Sequence, residues 1–371
     1  MKISCSKSAL LKGVNIVSKA VSSKTTMTIL ECILFTAENH VITLTANDME
    51  LGIETIVEGT IEEEGKLALD AKIISEIIRK LPDNEIVIES DNGFSTTITC
   101  EKSIFTIPGR SGEEFAYLPS IEADNKIVLS QFTLKELIRQ TIFSTLDNEN
   151  NPMMSGELIE VANNELRMVS LDGHRISVRN VQLNDNYEPA KIVIPGKTLS
   201  EISKILTGEA DREVAMFFTQ NHVVFEFDDT IVVSRLIEGQ YYKIDQMLHN
   251  DYETKVTVNK RELLSCIDRA TLLVKESDKK PIIMSISDGL LKIMLKSSLG
   301  SMNEELLIEK SGSDMMIGFN PRFLIDALRV IDDETVELYM INSKSPCYIR
   351  DEEKSYIYMI LPVTFIQTDA Q

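Results

Sequence analysis

The chain has 371 residues, long for one ordinary domain and enough for two or three. Hydrophobic residues make up 43%, no apolar run approaches the roughly 20 residues of a membrane span, and no signal peptide opens the sequence, so a globular cytoplasmic protein with no membrane partner is expected. Lys and Arg number 38 against 58 Asp and Glu, a net charge of −20 that argues against nucleic acid as a partner unless the basic residues share one surface.

Taken in order, MKISCSKSALLKG predicts a strand running into an amphipathic helix around Leu10. The β-branched runs ILECILF, VITLTA and LGIETIV then read as antiparallel strands. Asp70 is placed to cap a second helix through AKIISEII, and IVIES, STTITC and SIFTIP follow as strands. Polar residues at Glu122–Lys126 and Asn250–Lys255 mark boundaries, giving domains at 1–124, 125–251 and 252–371. Later helices are expected at TLKELIRQTIFS, at KTLSEISKIL, at RELLSCIDRATLL after the cap Asn259, and at RFLIDALRVI after Asn320 and Pro321. Cys5, Cys32, Cys100, Cys266 and Cys347 are far apart and form no CxxC pair, which points to buried thiols rather than disulfides or a zinc site.

The helices repeat. Segments starting at Lys72, Lys197 and Arg322 are spaced by 125 residues, and a second series near Leu10, Leu137 and Leu263 keeps nearly the same period. Three copies of one α+β domain are therefore expected, each with two helices packed on antiparallel sheets. In four helices two basic residues stand seven apart, close to two turns: Lys12/Lys19, Lys72/Arg79, Lys197/Lys204 and Arg322/Arg329. Lys80 adds to the second of these. The apolar stripes, Ile74, Ile77, Ile78 and Leu81 in one helix and Leu199, Ile202 and Leu206 in another, lie on the opposite side. Repeats curved into a ring with helices inside would gather the cations on one concave surface, with the acidic excess outside. That arrangement suits sequence-independent, salt-sensitive contact with DNA phosphates. A protein–protein scaffold that never meets DNA is the acidic-charge alternative. An enzyme built on Asp172-Gly173-His174-Arg175 is another, although the chain has no P-loop, GxGxxG, HExxH or nucleophile elbow, and no cofactor or metal is expected.

The strings MVSLDGHRISV at Met168–Val178, IGFNPRFLIDAL at Ile317–Leu328, YMILPV at Tyr358–Val363 and the opening MKIS…LL resemble the bacterial DNA polymerase III beta subunit family, the replication sliding clamps. The resemblance runs from Met1 to about Val363, with Thr364–Gln371 beyond the usual family ending. It implies no catalytic activity and a head-to-tail homodimeric ring of six domains that encircles double-stranded DNA. Phe105 and Ile107 of one copy would meet Leu272, Leu273 and Arg269 of the other. It implies a pocket for short linear motifs of the polymerase III alpha subunit, the clamp loader, repair polymerases and mismatch-repair proteins. The pocket positions are Met154, Leu171, Gly173, His174, Arg175, Ile176, Tyr242, Met247, Asn320, Phe323, Lys344, Pro346, Met359, Ile360, Leu361, Pro362 and Val363. It assigns DNA contact to Lys24, Arg79, Asn148 and Lys197. Tyr242 stands where relatives often carry proline and Lys344 where some carry a small apolar residue, which implies a shifted peptide preference. Ala71, Pro152 and Met153 replace arginine or tyrosine found in some relatives.

Overall fold

The structure is a computed structural model and describes residues 1–22, 25–115, 126–146, 151–274 and 280–365. The domain boundary near 122–125, Lys24, Asn148 and the tail 366–371 lie outside these residues.

Helix starts follow the chemistry of their caps. The Asp70 carboxylate accepts the Ile73 N–H at 2.8 Å and opens α2 (Ala71–Lys80). Asn259 accepts the Glu262 N–H at 3.0 Å before α5 (Lys260–Thr271), and Asn320 accepts the Arg322 N–H at 3.1 Å before α6 (Pro321–Val330). Each bond satisfies one backbone donor that has no partner inside the helix. The others are α1 (Lys7–Val17), α3 (Gln131–Thr141) and α4 (Gly196–Ile205), making six α-helices among the described residues.

Two expectations change here. Lys19 does not share a helix with Lys12: α1 stops at Val17, the Ser18 hydroxyl turns back onto the Val14 carbonyl at 2.6 Å, and Ser18–Ala20 tightens into a 3-10 turn. The strand expected from Ile29 starts later, because Thr28–Glu31 forms another 3-10 turn and the strand covers Cys32–Glu38.

The described residues divide into two compact units, Met1–Leu134 with Ser200–Leu236, and Lys135–Leu199 with Ile237–Gln371. The cut passes through the middle of the central repeat, because its sheets continue into both neighbours. In the first unit a nine-stranded sheet runs in the order Arg110–Ser111, Gly65–Asp70, Cys32–Glu38, Val41–Asn47, Leu51–Val57, Thr230–Arg235, His222–Phe227, Glu213–Phe218, Lys126–Ser130. The join between repeats is the antiparallel pair Leu51–Val57 with Thr230–Arg235, in register Thr55 to Thr230 and Ser234 to Leu51. The second unit repeats this device. Its seven-stranded sheet joins Arg175–Pro195 of the central repeat to Tyr356–Ile360 of the last, with Arg175 opposite Ile360. A five-stranded sheet in the first unit ends on Ser103–Pro108, and a four-stranded sheet in the second ends on Gly300–Leu307.

The helices bury the predicted stripes against these sheets. Ile74 and Ile78 of α2 are inaccessible and Ile77 is half-buried, while Lys72, Arg79 and Lys80 on the opposite side are exposed. Leu199, Ile202 and Leu206 are buried in the same way. Full burial of each such aliphatic side chain contributes about 1.5–3 kcal/mol. All five cysteines are buried free thiols, and burial pushes the Cys266 and Cys347 thiols up to about 12, which leaves them unreactive.

Candidate functional site

The pocket positions lie in the second unit, and a tight turn organises them. The Asp172 carboxylate accepts the N–H groups of His174 and Arg175 at 2.9 and 3.1 Å, and Gly173 takes φ +87° between them. An added Cβ on Gly173 would meet only the Met154 Cε at 3.9 Å, so backbone conformation rather than space requires glycine.

Arg175, 9% exposed, is fully engaged. Its guanidinium donates to Asp172 Oδ2 at 2.9 Å, to Asp326 Oδ2 at 2.6 Å and to the Phe143 carbonyl at 2.5 Å. It also lies over the rings of Phe323 and Phe143, 4.5 and 5.3 Å from their centroids. His174 projects to the surface and stacks on Phe323 at 6.0 Å, and its carbonyl accepts the Leu361 N–H at 2.9 Å. With Asp172 and Arg175 committed to each other, and Arg175 also to Asp326 of α6, this quartet forms a hydrogen-bonded turn. Asn320 serves as the α6 cap, and the Val363 N–H reaches the Gly318 carbonyl at 2.8 Å.

Beside the turn, an apolar cluster holds Leu171, Ile176 and Met359 as buried members, with Met154, Tyr242 and Leu361 partly buried against it. Strand alternation sorts the C-terminal residues. Ile357 and Met359 enter this cluster, whereas Tyr356, Tyr358 and Ile360 enter the core beneath α5 and α6. Ile360, opposite Arg175 in the sheet, thus packs on the same core as Phe323 rather than with Met359. Phe323 packs on that second core from its edge. Met247 is 40% exposed, Lys344 is exposed, and Pro346 and Pro362 are half-buried. The Tyr242 hydroxyl accepts from the Asn151 side-chain amide at 2.6 Å, and Tyr242 also walls a cavity of about 390 Å³ lined by Leu158, Val193 and Tyr241. Asp326, Phe143 and Asn151 belong to this site and escape a reading by motif. The visible signal for Asp326 was its place in the repeat, matching Glu76 and Glu201.

The helix cations divide by position. Arg79, Lys80, Arg139, Lys204, Arg269 and Arg329 all stand in last turns, where the helix dipole favours a cation by itself. Lys72, Lys197 and Arg322 occupy the second residue of α2, α4 and α6, where the dipole opposes them. A first-turn lysine can have a structural use: Lys7 and Lys260, which open α1 and α5, donate to the end carbonyls of Leu81 and Ile331 at 2.5 and 2.6 Å. Lys72 has no such partner among the described residues and is exposed, as is Lys12.

At the sheet ends, Ile104 is 68% and Phe105 41% exposed on Ser103–Pro108, while Ile107 is half-buried. Leu272 is 78% and Leu307 80% exposed beside the other end, and Arg269 is bonded to Glu304 there. Leu273 differs from its neighbour, being half-buried and packed on its own domain's core. Ile104 and Leu307 were missed by the sequence reading, although two adjacent apolar residues on an edge strand are a usable signal.

Comparison with known proteins agrees over the whole fold. Residues 1–119, 128–243 and 245–364 match the N-terminal, central and C-terminal domains of the DNA polymerase III beta subunit. The crystal structure of a putative DNA polymerase III beta subunit from Eubacterium rectale superposes with a TM-score of 0.96 at 64% identity, over 98% of this chain and 100% of that one. The DNA polymerase sliding clamp from Bacillus subtilis gives 0.95 at 31% identity, over 99% and 100%. A beta sliding clamp from Halalkalibacterium halodurans is 33% identical over 369 residues, covering 95% of this chain and 97% of that protein. Three repeated α+β domains with these relatives define a sliding clamp, a processivity factor of DNA replication. Within that class the chain belongs to the bacterial DNA polymerase III beta subunit family.

Proposed function

We propose that two copies of this chain close head to tail into a ring around double-stranded DNA and hold replication and repair proteins there through the pocket on the second unit. The observation that carries the DNA-facing part is the recurrence of Lys72, Lys197 and Arg322 at one position of the repeat where the helix dipole disfavours them. A cation repeated at one position in three domains is consistent with a ligand of opposite charge. Lys12, Lys19, Arg79, Lys80, Lys204 and Arg329 add to the same lining, with Lys24 and Asn148 assigned by family likeness. Such contacts go to phosphates and carry no sequence information.

Ring closure follows from an account of edges. In each repeat the third strand segment after the first helix and the third after the second are the joining segments, with Gly156–Leu171 spanning two of them. Leu51–Val57 takes Thr230–Arg235, and Arg175–Pro195 takes Tyr356–Ile360. Gly300–Leu307 and Ser103–Pro108 remain at sheet ends with exposed leucine, isoleucine and phenylalanine beside them. Pairing them between copies repeats the same joint and hides both edges; such a heterologous contact gives a ring when the rotation closes. Domains at 1–124, 125–251 and 252–371 are the units of this reading.

The pocket supports docking of short peptides with apolar anchors. Methionine and aliphatic walls at Met154, Met247 and Leu361 adapt to varied side chains, while the turn at Gly173 and the Arg175 network fix the frame. Polymerase, clamp-loader and repair-protein motifs are the proposed occupants, in the cytoplasm, and the chain itself carries out no reaction.

The test is molar mass by light scattering, followed by retention on circular against linear DNA after loading. A mass near twice 41.8 kDa and selective retention on circles is the expected result. A monomer at every concentration, or equal loss from both DNAs, defeats the proposal. Replacing Lys72 by Ala should also weaken association and make its salt dependence shallower, by about 0.9 in the log–log slope for each phosphate no longer neutralised.

A further inference from the structure

The helices that carry the lining cations also carry an acid on the same face. Glu76 stands four residues after Lys72 and three before Arg79; Glu201 stands identically between Lys197 and Lys204. At 100° per residue all three charges of each set fall within about 60° of Glu76 or Glu201, so they alternate plus, minus, plus along one stripe. Glu76 Oε1 accepts from Arg79 at 2.5 Å, with Lys80 at 3.8 Å from its other oxygen, and Glu201 lies 2.7 Å from Lys204. In α3, Glu136 holds Arg139 in the same i,i+3 geometry at 2.5 Å.

The third repeat shows what happens when the acid is drawn away. Asp326 occupies the place of Glu76 and Glu201 but is bonded to Arg175, and Arg329 turns instead to Asp268 at 3.4 Å. The acid is thus kept at one position of the repeat even where the local pair is not formed.

We infer that Glu76 and Glu201 set the strength of the grip on DNA, by holding part of the lining charge away from phosphate. This rests on the proposed function and deepens it. A ring that must slide needs cations enough to stay centred and few enough to avoid binding tightly at one place. A carboxylate beside each last-turn cation lowers the number of free positive charges and repels phosphate directly. Without these acids more counterions would be released on association, and both affinity and its salt dependence would rise.

The experiment compares the native chain with the double variant Glu76→Gln/Glu201→Gln, which keeps side-chain shape and removes charge. A control double variant, Glu188→Gln/Glu353→Gln, changes net charge equally at exposed residues away from the helices. Association with a short fluorescent duplex is measured by anisotropy across a salt series, with molar mass and melting temperature checked for each protein. The lining variant should bind roughly three- to tenfold more tightly at low salt, with a steeper salt slope and convergence at high salt, while the control stays close to native. Equal affinity and slope for the lining variant and the control overturn the inference. Weaker binding also overturns it, since the acids would then act by positioning Arg79 and Lys204. A native chain with no salt-dependent association removes the proposed function itself, an outcome distinct from the other two.

Discussion

The Arg175 guanidinium and the Asp326 carboxylate lie 2.6 Å apart and fasten the 171–175 turn of the central repeat to α6 of the last one. The same guanidinium is held by Asp172 and the Phe143 carbonyl and lies over two aromatic rings, so each of its three nitrogens has an acceptor. At 10% side-chain exposure for both Arg175 and Asp172, removing the cation strips Asp172 Oδ2, Asp326 and the Phe143 carbonyl of their charged donor, leaving Asp172 only the turn's backbone N–H groups.

Arg175→Ala should therefore destabilise the second unit by about 3–5 kcal/mol, the usual penalty for breaking a buried ion pair from one side. Asp326→Asn keeps an acceptor and should cost less, about 1–3 kcal/mol. Urea unfolding of both variants checks the order, and a cost below about 1 kcal/mol for Arg175→Ala would show that the network is not what fastens the turn.

Glu157 presents a pH dependence of unusual sign for a carboxyl group. It is inaccessible, its Oε1 has no partner among the described residues, and burial pushes its pKa up to about 8, opposed by the bond with Thr141. The Thr141 hydroxyl lies 2.5 Å from Glu157 and 2.7 Å from the Leu137 carbonyl. With one hydrogen, the hydroxyl can donate to only one of these two acceptors at a time, so its bond offsets only part of the burial of the carboxylate. Between the ordinary carboxyl value and about 8 the folded chain holds a proton that the unfolded chain has released. Stability should fall as pH rises through that window, by up to about 1.4 kcal/mol per unit. Glu157→Gln, which can donate to Thr141 at any pH, should flatten this slope and raise the melting temperature at pH 8. An unchanged slope in the variant would assign the pH dependence to other groups.

The repeat, the helices and their caps were legible because each is written locally, in an Asx residue before an apolar stripe or in a period of 125. The joints were not, since nothing within LGIETIV says that Thr55 will lie opposite Thr230. Lys19 was placed on α1 by spacing alone, and the Ser18 hydroxyl, competing for the Val14 carbonyl, ended the helix first. The continuous string YMILPV likewise does not show that Met359 and Ile360 enter different cores, because a strand sends neighbours to opposite faces. Asp326 drew no attention in the sequence, because its partner Arg175 is 151 residues away.

The joining turns allow a paired test of backbone strain. Asp48 repeats the part of Asp172, its carboxylate accepting the N–H groups of Glu50 and Leu51 at 3.1 and 2.8 Å. Where the second turn has Gly173 at φ +87°, the first has Met49 at φ +77°. A side chain in that region costs about 1 kcal/mol or more. Met49→Gly should stabilise the first unit by up to about 1 kcal/mol, and Gly173→Ala should destabilise the second by about 1–2 kcal/mol. Opposite shifts in melting temperature are expected, and shifts of one sign would contradict the strain argument.

Leu272 and Leu273 give the sharpest separation between assembly and folding. Leu272 is 78% exposed, so its side chain contributes little to the isolated fold. Leu273 packs against the core of its own domain, and its Cδ2 sits 3.7 Å from where a Cβ on Gly300 would lie. Leu273→Ala should lower both stability and association, and its effect on mass alone would not isolate the joint. Leu272→Glu and Ile104→Lys place a charge on each exposed side of the proposed contact and should leave the melting temperature within about 0.5 kcal/mol equivalent of native. Each alone should shift the mass toward 41.8 kDa on dilution, because a buried unpaired charge opposes the contact at both joints. In a mixed ring of the two variants, one joint brings Glu and Lys together and the other carries neither substitution. Mixing should therefore restore a dimer that resists dilution better than either variant alone. A mixture that stays as dissociated as its components would place the contact elsewhere on the chain.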